Sequence, residues 1–264
     1  MSDSTVLLPR PVALVTGVGR RRGIGAAIAL ALAEEGWDVA TTWWSGYDDR
    51  MPWGRDPATA DDVGAAVRHA GGRHLAIEAD LAETATAEAV FDRVEATLGP
   101  VTGLVVAHCE SVDSATLTAT VETFDRHYAV NVRATWLLIA ELGRRFPAAG
   151  RTGLRGRIVT LTSDHVVGNL PYGATKAAAD RVTLAAAYDL AHLGITANVV
   201  NPGPTDTGWM DDEVRAHAAA KTPLPRAARA EDAANLIRFL CSEEGGWITG
   251  QLLLSNGGFK GSIP

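Results

Sequence analysis

Short apolar runs alternate along the chain with longer, alanine-rich segments of helical periodicity. The apolar runs cover residues 12–15, 39–42, 75–78, 104–107, 157–161, 196–200 and 250–254. The segments of helical period cover residues 24–35, 58–69, 85–98, 114–146, 171–193 and 231–242. Strands that alternate with helices predict a parallel sheet with helices on both faces. With right-handed crossovers, the pattern predicts a doubly wound α/β fold of about seven strands.

Two segments, residues 43–57 and 205–225, interrupt this alternation. Each follows a predicted strand, and ligands in open α/β sheets bind beyond the carboxyl ends of the strands. Long connections of this kind are usually functional or mobile. We therefore expect both segments to border a ligand site, with residues 205–225 as a lid over the substrate. The length of 264 residues fits one domain, so we expect residues 1–264 to form a single unit.

The composition excludes several classes of protein. Lysine and arginine total 24 against 31 aspartates and glutamates, which gives a net charge of −7 and a pI near 5.5. Such a chain offers no general basic face for a nucleic acid. No run approaches the ~18 apolar residues of a membrane span, and Cys109 and Cys241 show neither a disulfide pattern nor metal-ligand spacing. We therefore expect a soluble cytoplasmic protein with no metal site and no nucleic-acid or membrane partner.

A glycine-rich loop joins the first predicted strand to the first predicted helix. It contains Gly17, Gly19, Gly23, Ile24 and Gly25. Glycines there let backbone N–H groups approach a pyrophosphate at the helix N-terminus, where the helix dipole favours negative charge. The loop predicts a dinucleotide site, and a tight turn without a ligand is the alternative. Asp80, after the third predicted strand, is suited either to accept a hydrogen bond from adenine or to cap the next helix.

The residues around the second predicted strand bear on the type of dinucleotide. Asp38 has nearly the spacing of a ribose-binding acid, but it precedes the apolar run and so lies at the end of the strand away from the cofactor. Trp43 and Trp44, where the strand ends, carry no carboxylate to repel a 2′-phosphate. Three cations lie in the glycine-rich loop, namely Arg20, Arg21 and Arg22. A cationic clamp on a 2′-phosphate predicts NADP(H) rather than NAD(H), and a solvated loop is the alternative.

Candidate catalytic residues lie further along the chain. Tyr172 and Lys176 are four residues apart, on one face of a predicted helix. A lysine ammonium beside a phenol favours the phenolate and lowers the pKa of the phenol from ~10 towards neutrality, which suits proton transfer. Ser163 ends a predicted strand and can present its hydroxyl to the same carbonyl oxygen. Asn131 lies inside a predicted helix, residues 127–138, where asparagine is mildly unfavourable.

Together these motifs resemble the short-chain dehydrogenase/reductase family along nearly the whole chain, particularly its 3-oxoacyl-carrier-protein reductase-like members. The resemblance implies a Rossmann-like fold and an NAD(P)-dependent enzyme that acts on a small carbonyl or alcohol. It implies that Tyr172 is the general acid/base and that Lys176 lowers its pKa and binds the nicotinamide ribose. Ser163 is expected to polarise the carbonyl, and Asn131 to hold a water of a proton relay.

The resemblance also implies further cofactor contacts and an assembly. Thr205 and Thr207 are expected to contact the nicotinamide carboxamide. The other expected cofactor residues, besides the glycine-rich loop, Tyr172 and Lys176, are Trp43, Asp80, Leu81, Ala107, Pro202 and Gly203. A homotetramer is the expected assembly.

Three features depart from the family pattern. The glycine-rich loop is two residues longer than the common form, as in divergent enoyl reductases, whose tyrosine–lysine spacing differs from the one here. Residues 106–109 read Val-Ala-His-Cys where the family has Asn-Asn-Ala-Gly. We expect His108 to be a hydrogen-bonded structural residue, with a role near the cofactor as the alternative. The segment between Ser163 and Tyr172 is four residues shorter than usual, yet its eight intervening residues still let the two side chains meet.

The shortened segment changes the expected substrate pocket. Asp164, His165 and Val166 would line it and leave it more open. A hydrolase with Ser163 as nucleophile is disfavoured, because adjacent strand residues point to opposite faces and the chain lacks a nucleophile elbow.

We therefore predict NADP(H)-dependent reduction of a ketone or aldehyde, or the reverse oxidation of an alcohol. The alternatives are a catalytically weak NADP(H)-binding sensor and, among enzymes, an enoyl reductase. In the lid, Trp209 and Met210 predict an apolar wall over a ketone of medium size. The alternative is that Trp209 packs in the core.

Overall fold

The computed structural model describes residues 10–146, 155–165 and 167–260. Within these residues the strands are β1 (Val12–Thr16), β2 (Asp38–Trp43), β3 (His74–Glu78), β4 (Val101–Val106), β5 (Gly156–Leu161), β6 (Ile195–Asn201) and β7 (Leu252–Leu254). All seven pair in parallel, in the order β3-β2-β1-β4-β5-β6-β7. The order reverses between β1 and β4, which confirms the predicted doubly wound topology.

Helices cover both faces of the sheet. In chain order they are α1 (Ile24–Glu34), α2 (Ser45–Asp48), α3 (Thr59–His69), α4 (Thr86–Thr97), α5 (Val121–His127), α6 (Ala134–Arg145), α7 (Leu170–Asp189), α8 (Asp212–Lys221) and α9 (Ala230–Cys241). Successive residues of β1 serve two cores. Leu14 packs in the core with α4, α6 and α7, whereas Val15 packs in the core with α1, α3 and α9. This two-sided burial explains why the strands are apolar at nearly every position.

One predicted helical segment, residues 114–146, is broken. Helix α5 begins only at Val121, where the Thr120 hydroxyl caps it by accepting a hydrogen bond from the Thr123 N–H (3.2 Å). Between α5 and α6 the chain widens into a π-helical turn, Tyr128–Arg133. Most other predicted elements agree with the observed bounds to within about two residues, although β4 begins earlier than predicted, at Val101.

The two segments that interrupt the alternation contain short helices. Residues 43–57 include α2, and residues 205–225 include α8. Both leave the carboxyl edge of the sheet, as predicted. Val166, expected to line the substrate pocket, lies outside the described residues. In the described parts of the chain, no helix is both long enough and apolar enough to cross a membrane.

Candidate active site

Helix α7 places Lys176 beside the ends of two strands. Pro171 stands in the first turn of α7, where its fixed φ suits a helix start. The Lys176 side chain is buried, and its Nζ donates to the carbonyl oxygens of Leu161 (2.9 Å) and His108 (3.4 Å). Burial lowers the pKa of Lys176, while the carboxylate of Asp180, one turn further along α7, favours the charged form. The ammonium is thus oriented by backbone groups where β4 and β5 end.

The surroundings of Tyr172 favour the protonated phenol. Burial raises the pKa of Tyr172 above its ordinary value, and the nearby charge of Asp164 raises it further, while a hydrogen bond with Ser163 lowers it. The Lys176 Nζ lies 5.9 Å from the centre of the Tyr172 ring and donates to two carbonyl oxygens. The expected lowering of the Tyr172 pKa by Lys176 stays a prediction.

Ser163 and Tyr172 meet despite the short segment between them. The Ser163 side chain lies close enough to the Tyr172 hydroxyl to lower the pKa of that phenol, and the Ser163 Oγ accepts a hydrogen bond from the backbone N–H of His165 (3.1 Å). The His165 ring lies edge-on to the Tyr172 ring, with the two ring centres 6.4 Å apart. Two hydroxyls that converge on one point suit a carbonyl oxygen of a substrate.

Asn131 joins the loop after β4 to helix α7. Its Oδ1 accepts from the N–H of Glu110 (2.7 Å), and its Nδ2 donates to the Glu110 carbonyl and to the Thr175 Oγ1 (both 2.9 Å). The amide therefore stabilises the π-helical turn and positions the residue before Lys176. The expected contact with a water stays a prediction.

His108 is held by hydrogen bonds at both ring nitrogens. Nδ1 lies 2.7 Å from the Thr16 hydroxyl, and Nε2 lies 2.9 Å from the carbonyl oxygen of Val130. A carbonyl oxygen only accepts, so Nε2 carries the hydrogen and the Thr16 hydroxyl donates to Nδ1. Burial, with the Lys176 charge, lowers the pKa of His108 to about 4. This geometry favours the structural interpretation of His108, as a link between the ends of β1 and β4 and the π-helical turn.

The glycine-rich loop fits a dinucleotide pyrophosphate. Gly17 has a φ of 78°, and a Cβ there would lie 2.6 Å from the His108 Cα, so only glycine fits between the ends of β1 and β4. Helix α1 begins after Gly23 without a side-chain cap, which leaves N–H groups of its first turn for an anion. Ile24 and Gly25 form the start of this helix. On the other side of the loop, the Asp48 carboxylate packs against Gly19.

The three arginines of the loop do not form one cluster. The Arg20 guanidinium donates to the Thr207 carbonyl (3.3 Å) and hydroxyl (3.2 Å), and Arg22 lies 3.8 Å from the Asp206 carboxylate. Arg21 pairs instead with Asp56 and Asp62, beside α3. The expectation of a joint clamp beside Trp43 is therefore wrong in this structure, because carboxylates and carbonyls distant in sequence draw the guanidinium groups apart.

A cavity of about 200 Å³ lies where β2 ends, and the sequence analysis did not identify most of its polar residues. Trp43 and Gly19 form part of its wall, as expected of cofactor residues. Its other polar lining residues include Ser45, Asp48, Arg55, Asp56 and Glu78. The N–H and hydroxyl of Ser45 both donate to one carboxylate oxygen of Glu78. Two convergent donors mark an anion position, and the sequence signal for it was a serine two residues after the strand.

Asp80 and its neighbours differ in part from expectation. Asp80 forms a bidentate ion pair with Arg126 (2.9 and 3.0 Å) and accepts from the Ala82 N–H. Helix α4 starts only at Thr86, so the interpretation of Asp80 as a helix cap is wrong. Leu81 is buried in the core, and the Ala107 N–H donates to the Thr16 hydroxyl.

The segment after β6 is anchored at its start. Gly203 has a φ of 63°, and the Thr205 hydroxyl donates towards the carbonyl oxygens of Pro202 and Gly203. Thr205 and Thr207 are buried. The two lid residues differ in burial: Met210 is buried against Ala218 and Ala227, whereas Trp209 is 50% exposed. The alternative of a core tryptophan is therefore wrong, and so is Met210 as a wall over the substrate.

Known proteins resemble this chain along nearly its whole length. A family model described as "Enoyl-(Acyl carrier protein) reductase" matches residues 17–260. A solved structure of a short-chain dehydrogenase/reductase from Serratia marcescens is 30% identical and has a TM-score of 0.81, covering 95% of this chain and 99% of its own. The chain belongs to the short-chain dehydrogenase/reductase family. It is thus an oxidoreductase of that family.

Two relatives extend this comparison. The "Uncharacterized oxidoreductase YjdA" of Bacillus subtilis is 37% identical over 254 residues, which cover 94% of this chain and 96% of that protein. The "NADPH-dependent aldehyde reductase-like protein, chloroplastic" of Arabidopsis thaliana is 32% identical over 272 residues, covering 98% and 97%. NADPH dependence therefore occurs among the relatives of this short-chain dehydrogenase/reductase.

Proposed function

We propose that this short-chain dehydrogenase/reductase is an NADP(H)-dependent carbonyl reductase, 3-oxoacyl-reductase-like in its site, that interconverts a ketone or aldehyde and an alcohol. The observation that carries the proposal is the convergence of the Ser163 and Tyr172 hydroxyls beside buried Lys176. The whole chain, residues 1–264, acts as one catalytic domain. Its substrate is a small carbonyl or alcohol.

The side chains of the protein supply and stabilise the proton that is transferred in the reaction. When bound, the reduced nicotinamide supplies the hydride that forms the new C–H bond at the carbonyl carbon. Ser163 donates a hydrogen bond to the carbonyl oxygen and polarises it, and Tyr172 gives that oxygen its proton. Lys176 stabilises the phenolate that remains until solvent returns the proton, and it binds the nicotinamide ribose. Asn131 holds α7 in position against the loop after β4. It also binds a water molecule of the relay that returns a proton to Tyr172.

The preference for NADP(H) rests on the cavity where β2 ends. Ser45 offers two donors to an anion, and Arg55 lines the same cavity. Arg21 lies at the rim of this cavity, because it forms an ion pair with the lining residue Asp56. The carboxylate of Glu78 now occupies the Ser45 donors, and a 2′-phosphate, with more charge, would replace it. Pro202, Gly203, Thr205 and Thr207 would hold the nicotinamide end.

A second candidate is enoyl reduction. The description of the matching family model and the long glycine-rich loop favour it. The four-residue spacing of Tyr172 and Lys176, which differs from that of divergent enoyl reductases, favours carbonyl reduction. A catalytically weak NADP(H) sensor is the third candidate, and any turnover excludes it.

The expected assembly is a homotetramer in the cytoplasm. The large exposed apolar side chains include two groups: Phe124, Tyr128 and Trp136 on α5, the π-helical turn and α6, and Tyr188, Trp247, Leu252 and Leu254 near the edge strand β7. Closed symmetry would bury both groups. Both cysteines are unpaired, which suits a reducing compartment. Light scattering at micromolar concentration tests the assembly, and a monomer contradicts it.

A substrate panel tests the reaction. Purified protein is incubated with NADPH and matched pairs of ketones, aldehydes and α,β-unsaturated acyl thioesters, and NADPH oxidation is followed by absorbance with product analysis. We expect turnover of the saturated carbonyl compounds to exceed turnover of the enoyl thioesters at least about tenfold. Reduction of the carbon–carbon double bond alone supports the second candidate instead.

A further inference from the structure

Arg20 reaches from the glycine-rich loop to the start of the lid. Its guanidinium donates to the carbonyl oxygen (3.3 Å) and to the hydroxyl (3.2 Å) of Thr207. The guanidinium carbon also lies 4.3 Å from the centre of the Trp53 ring, in the connection between β2 and α3. The Arg20 residue is half-buried. The fold thus holds one cation among three segments that are distant in sequence.

This contact crosses the edge of the sheet at which a ligand is expected. Residue 20 follows β1 and residue 207 follows β6, and β4 and β5 lie between these two strands in the sheet. The strand order reverses between β1 and β4, where ligands of open α/β sheets bind. The Arg20 carbonyl oxygen accepts from the N–H of Gly23 (3.0 Å), directly before α1 begins. The cation therefore belongs to the loop whose N–H groups suit a pyrophosphate.

Arg20 differs from its neighbours in its partners. Among the residues that the structure describes, no carboxylate oxygen lies within 4.0 Å of its guanidinium nitrogens, whereas Arg21 and Arg22 each pair with aspartates. The acceptors of Arg20 are neutral, and a hydrogen bond to an anion is roughly twice as strong as one to a neutral acceptor. Of the three arginines, Arg20 is therefore the one best placed to pair with an anionic ligand.

The charge of Arg20 acts on both sides of the strand reversal. Burial raises the pKa of Asp48 and the pKa of the Cys109 thiol, and the nearby Arg20 charge opposes both shifts. Asp48 packs against Gly19 of the glycine-rich loop, and Cys109 follows β4. An anion bound between these two places would be stabilised by the same charge.

We propose that Arg20 binds the pyrophosphate of the cofactor and, through Thr207, ties the start of the lid to it. The proposal rests on the proposed function, because it takes the groove to be a dinucleotide site. It differs from the joint 2′-phosphate clamp expected from the sequence, since Arg20 does not line the cavity beside Ser45. NADPH and NADH both carry a pyrophosphate, so Arg20 serves the two cofactors alike.

Binding of both cofactors tests the role of the charge. In Arg20→Ala we expect the Kd for NADPH and the Kd for NADH, measured by fluorescence titration, to rise by the same factor of about ten or more. Arg20→Lys keeps the charge without the planar fork and should recover part of the loss. Arg238→Ala is the matched control, because it breaks an exposed ion pair with Glu35 (2.8 Å) at the opposite end of α1.

Fragments of the cofactor locate the contact. ADP-ribose carries a pyrophosphate, whereas adenosine 2′-monophosphate carries only the phosphate on the ribose. By calorimetric titration we expect Arg20→Ala to weaken ADP-ribose by about the same factor as the dinucleotides and to leave adenosine 2′-monophosphate unchanged. The reverse pattern places Arg20 at the 2′-phosphate and overturns the proposal.

Hydrogen–deuterium exchange tests the tie to the lid. The Gly208 amide donates to Asp206 Oδ1 (2.9 Å), and the Asp206 amide donates to the Ala228 carbonyl oxygen (2.8 Å). On saturation with NADPH we expect these amides to exchange at least about threefold more slowly in the wild type, with less protection in Arg20→Ala at saturation. Equal protection in the two proteins overturns the tie to the lid.

The outcomes separate Arg20 from the proposed function. Unchanged binding of both cofactors in Arg20→Ala, or weaker binding of NADPH alone, overturns the role of Arg20 and leaves the proposed function in place. Failure of both cofactors to bind to the wild type overturns the two together. Arg20→Gln, which removes the charge and keeps a hydrogen-bond donor, repeats the test if Arg20→Ala does not fold.

Discussion

The Lys176 ammonium is bonded to the backbone where β5 ends: its Nζ is 2.9 Å from the Leu161 carbonyl oxygen and 5.9 Å from the centre of the Tyr172 ring. The two residues share one face of α7, yet the backbone of β5 fixes the lysine. Ser163, by contrast, lies close enough to the phenol to lower its pKa.

The first prediction concerns the proton donor. Tyr172→Phe keeps the ring and removes the hydroxyl, so we expect kcat for carbonyl reduction to fall by ~10²–10⁴-fold while the Kd for NADPH stays nearly constant. Steady-state kinetics and fluorescence titration measure the two effects. Tyr188→Phe, an exposed tyrosine on the same helix, is the control and should have wild-type kinetics. Substantial activity in Tyr172→Phe contradicts the assignment.

The second prediction concerns pH. Because burial raises the pKa of Tyr172, the phenol stays protonated through the neutral range, and reduction, which needs the proton, should be flat from about pH 6 to 9. Alcohol oxidation needs the phenolate, so its rate should rise by about tenfold per pH unit over the same range. Rate profiles in both directions decide this. A plateau of oxidation below about pH 8 would mean that the working enzyme lowers this pKa after all.

The alternation of strands and helices was predictable because strands buried on both faces are apolar at nearly every position. The Tyr172 and Lys176 pair was predictable from its spacing on one helix. The partners of Arg20 and Arg21 were not, since Thr207 and Asp56 are brought to them only by the fold. Likewise, the π-helical turn depends on hydrogen bonds between Asn131 and Glu110, which no local pattern shows.

The third prediction concerns acid stability. Burial lowers the pKa of His108 to about 4, whereas a histidine in an unfolded chain has a pKa of ~6.5. Between these two pH values the unfolded state therefore binds a proton that the folded state does not bind. The contribution of neutral His108 to the free energy of unfolding is therefore fully present above about pH 6.5. It is lost as the pH falls towards 4, by about 3 kcal/mol in total.

Urea unfolding at pH 7.5 and pH 5 measures this loss. In His108→Gln we expect the free energy of unfolding at pH 7.5 to fall by about 1–3 kcal/mol, because Thr16 and Val130 lose their partner, and the dependence on pH to be shallower. His69→Gln, at an exposed position on α3, is the control. An unchanged dependence on pH in His108→Gln would refute the assignment.

The fourth prediction concerns the choice of cofactor. Ser45→Ala removes a donor to the anion position, and Arg21→Ala removes a cation at the rim of the cavity. A hydrogen bond to a charged group is worth about 1.5–3 kcal/mol, so we expect NADPH binding to weaken about tenfold or more in Ser45→Ala and NADH binding to change little. Arg22→Ala, which faces Asp206, should affect the two cofactors equally. Equal affinities of the wild type for NADPH and NADH would contradict the preference.

The last prediction concerns the lid. Half of the Trp209 side chain is exposed, and its Nε1 donates to the Thr205 carbonyl oxygen (3.1 Å), so the indole is held at the nicotinamide end without being part of the core. Met210, by contrast, anchors the segment beneath it. An indole in this position suits an apolar wall for the substrate, which the lid completes when it orders on binding. We therefore expect Trp209→Ala to raise KM for bulky apolar ketones about tenfold or more and to have little effect on small ketones, while kcat changes less.

Met210→Ala serves as the comparison, because loss of an anchor should lower thermal stability and affect all ketones alike. A uniform effect of Trp209→Ala on every ketone, or none, would show that the indole does not contact the substrate.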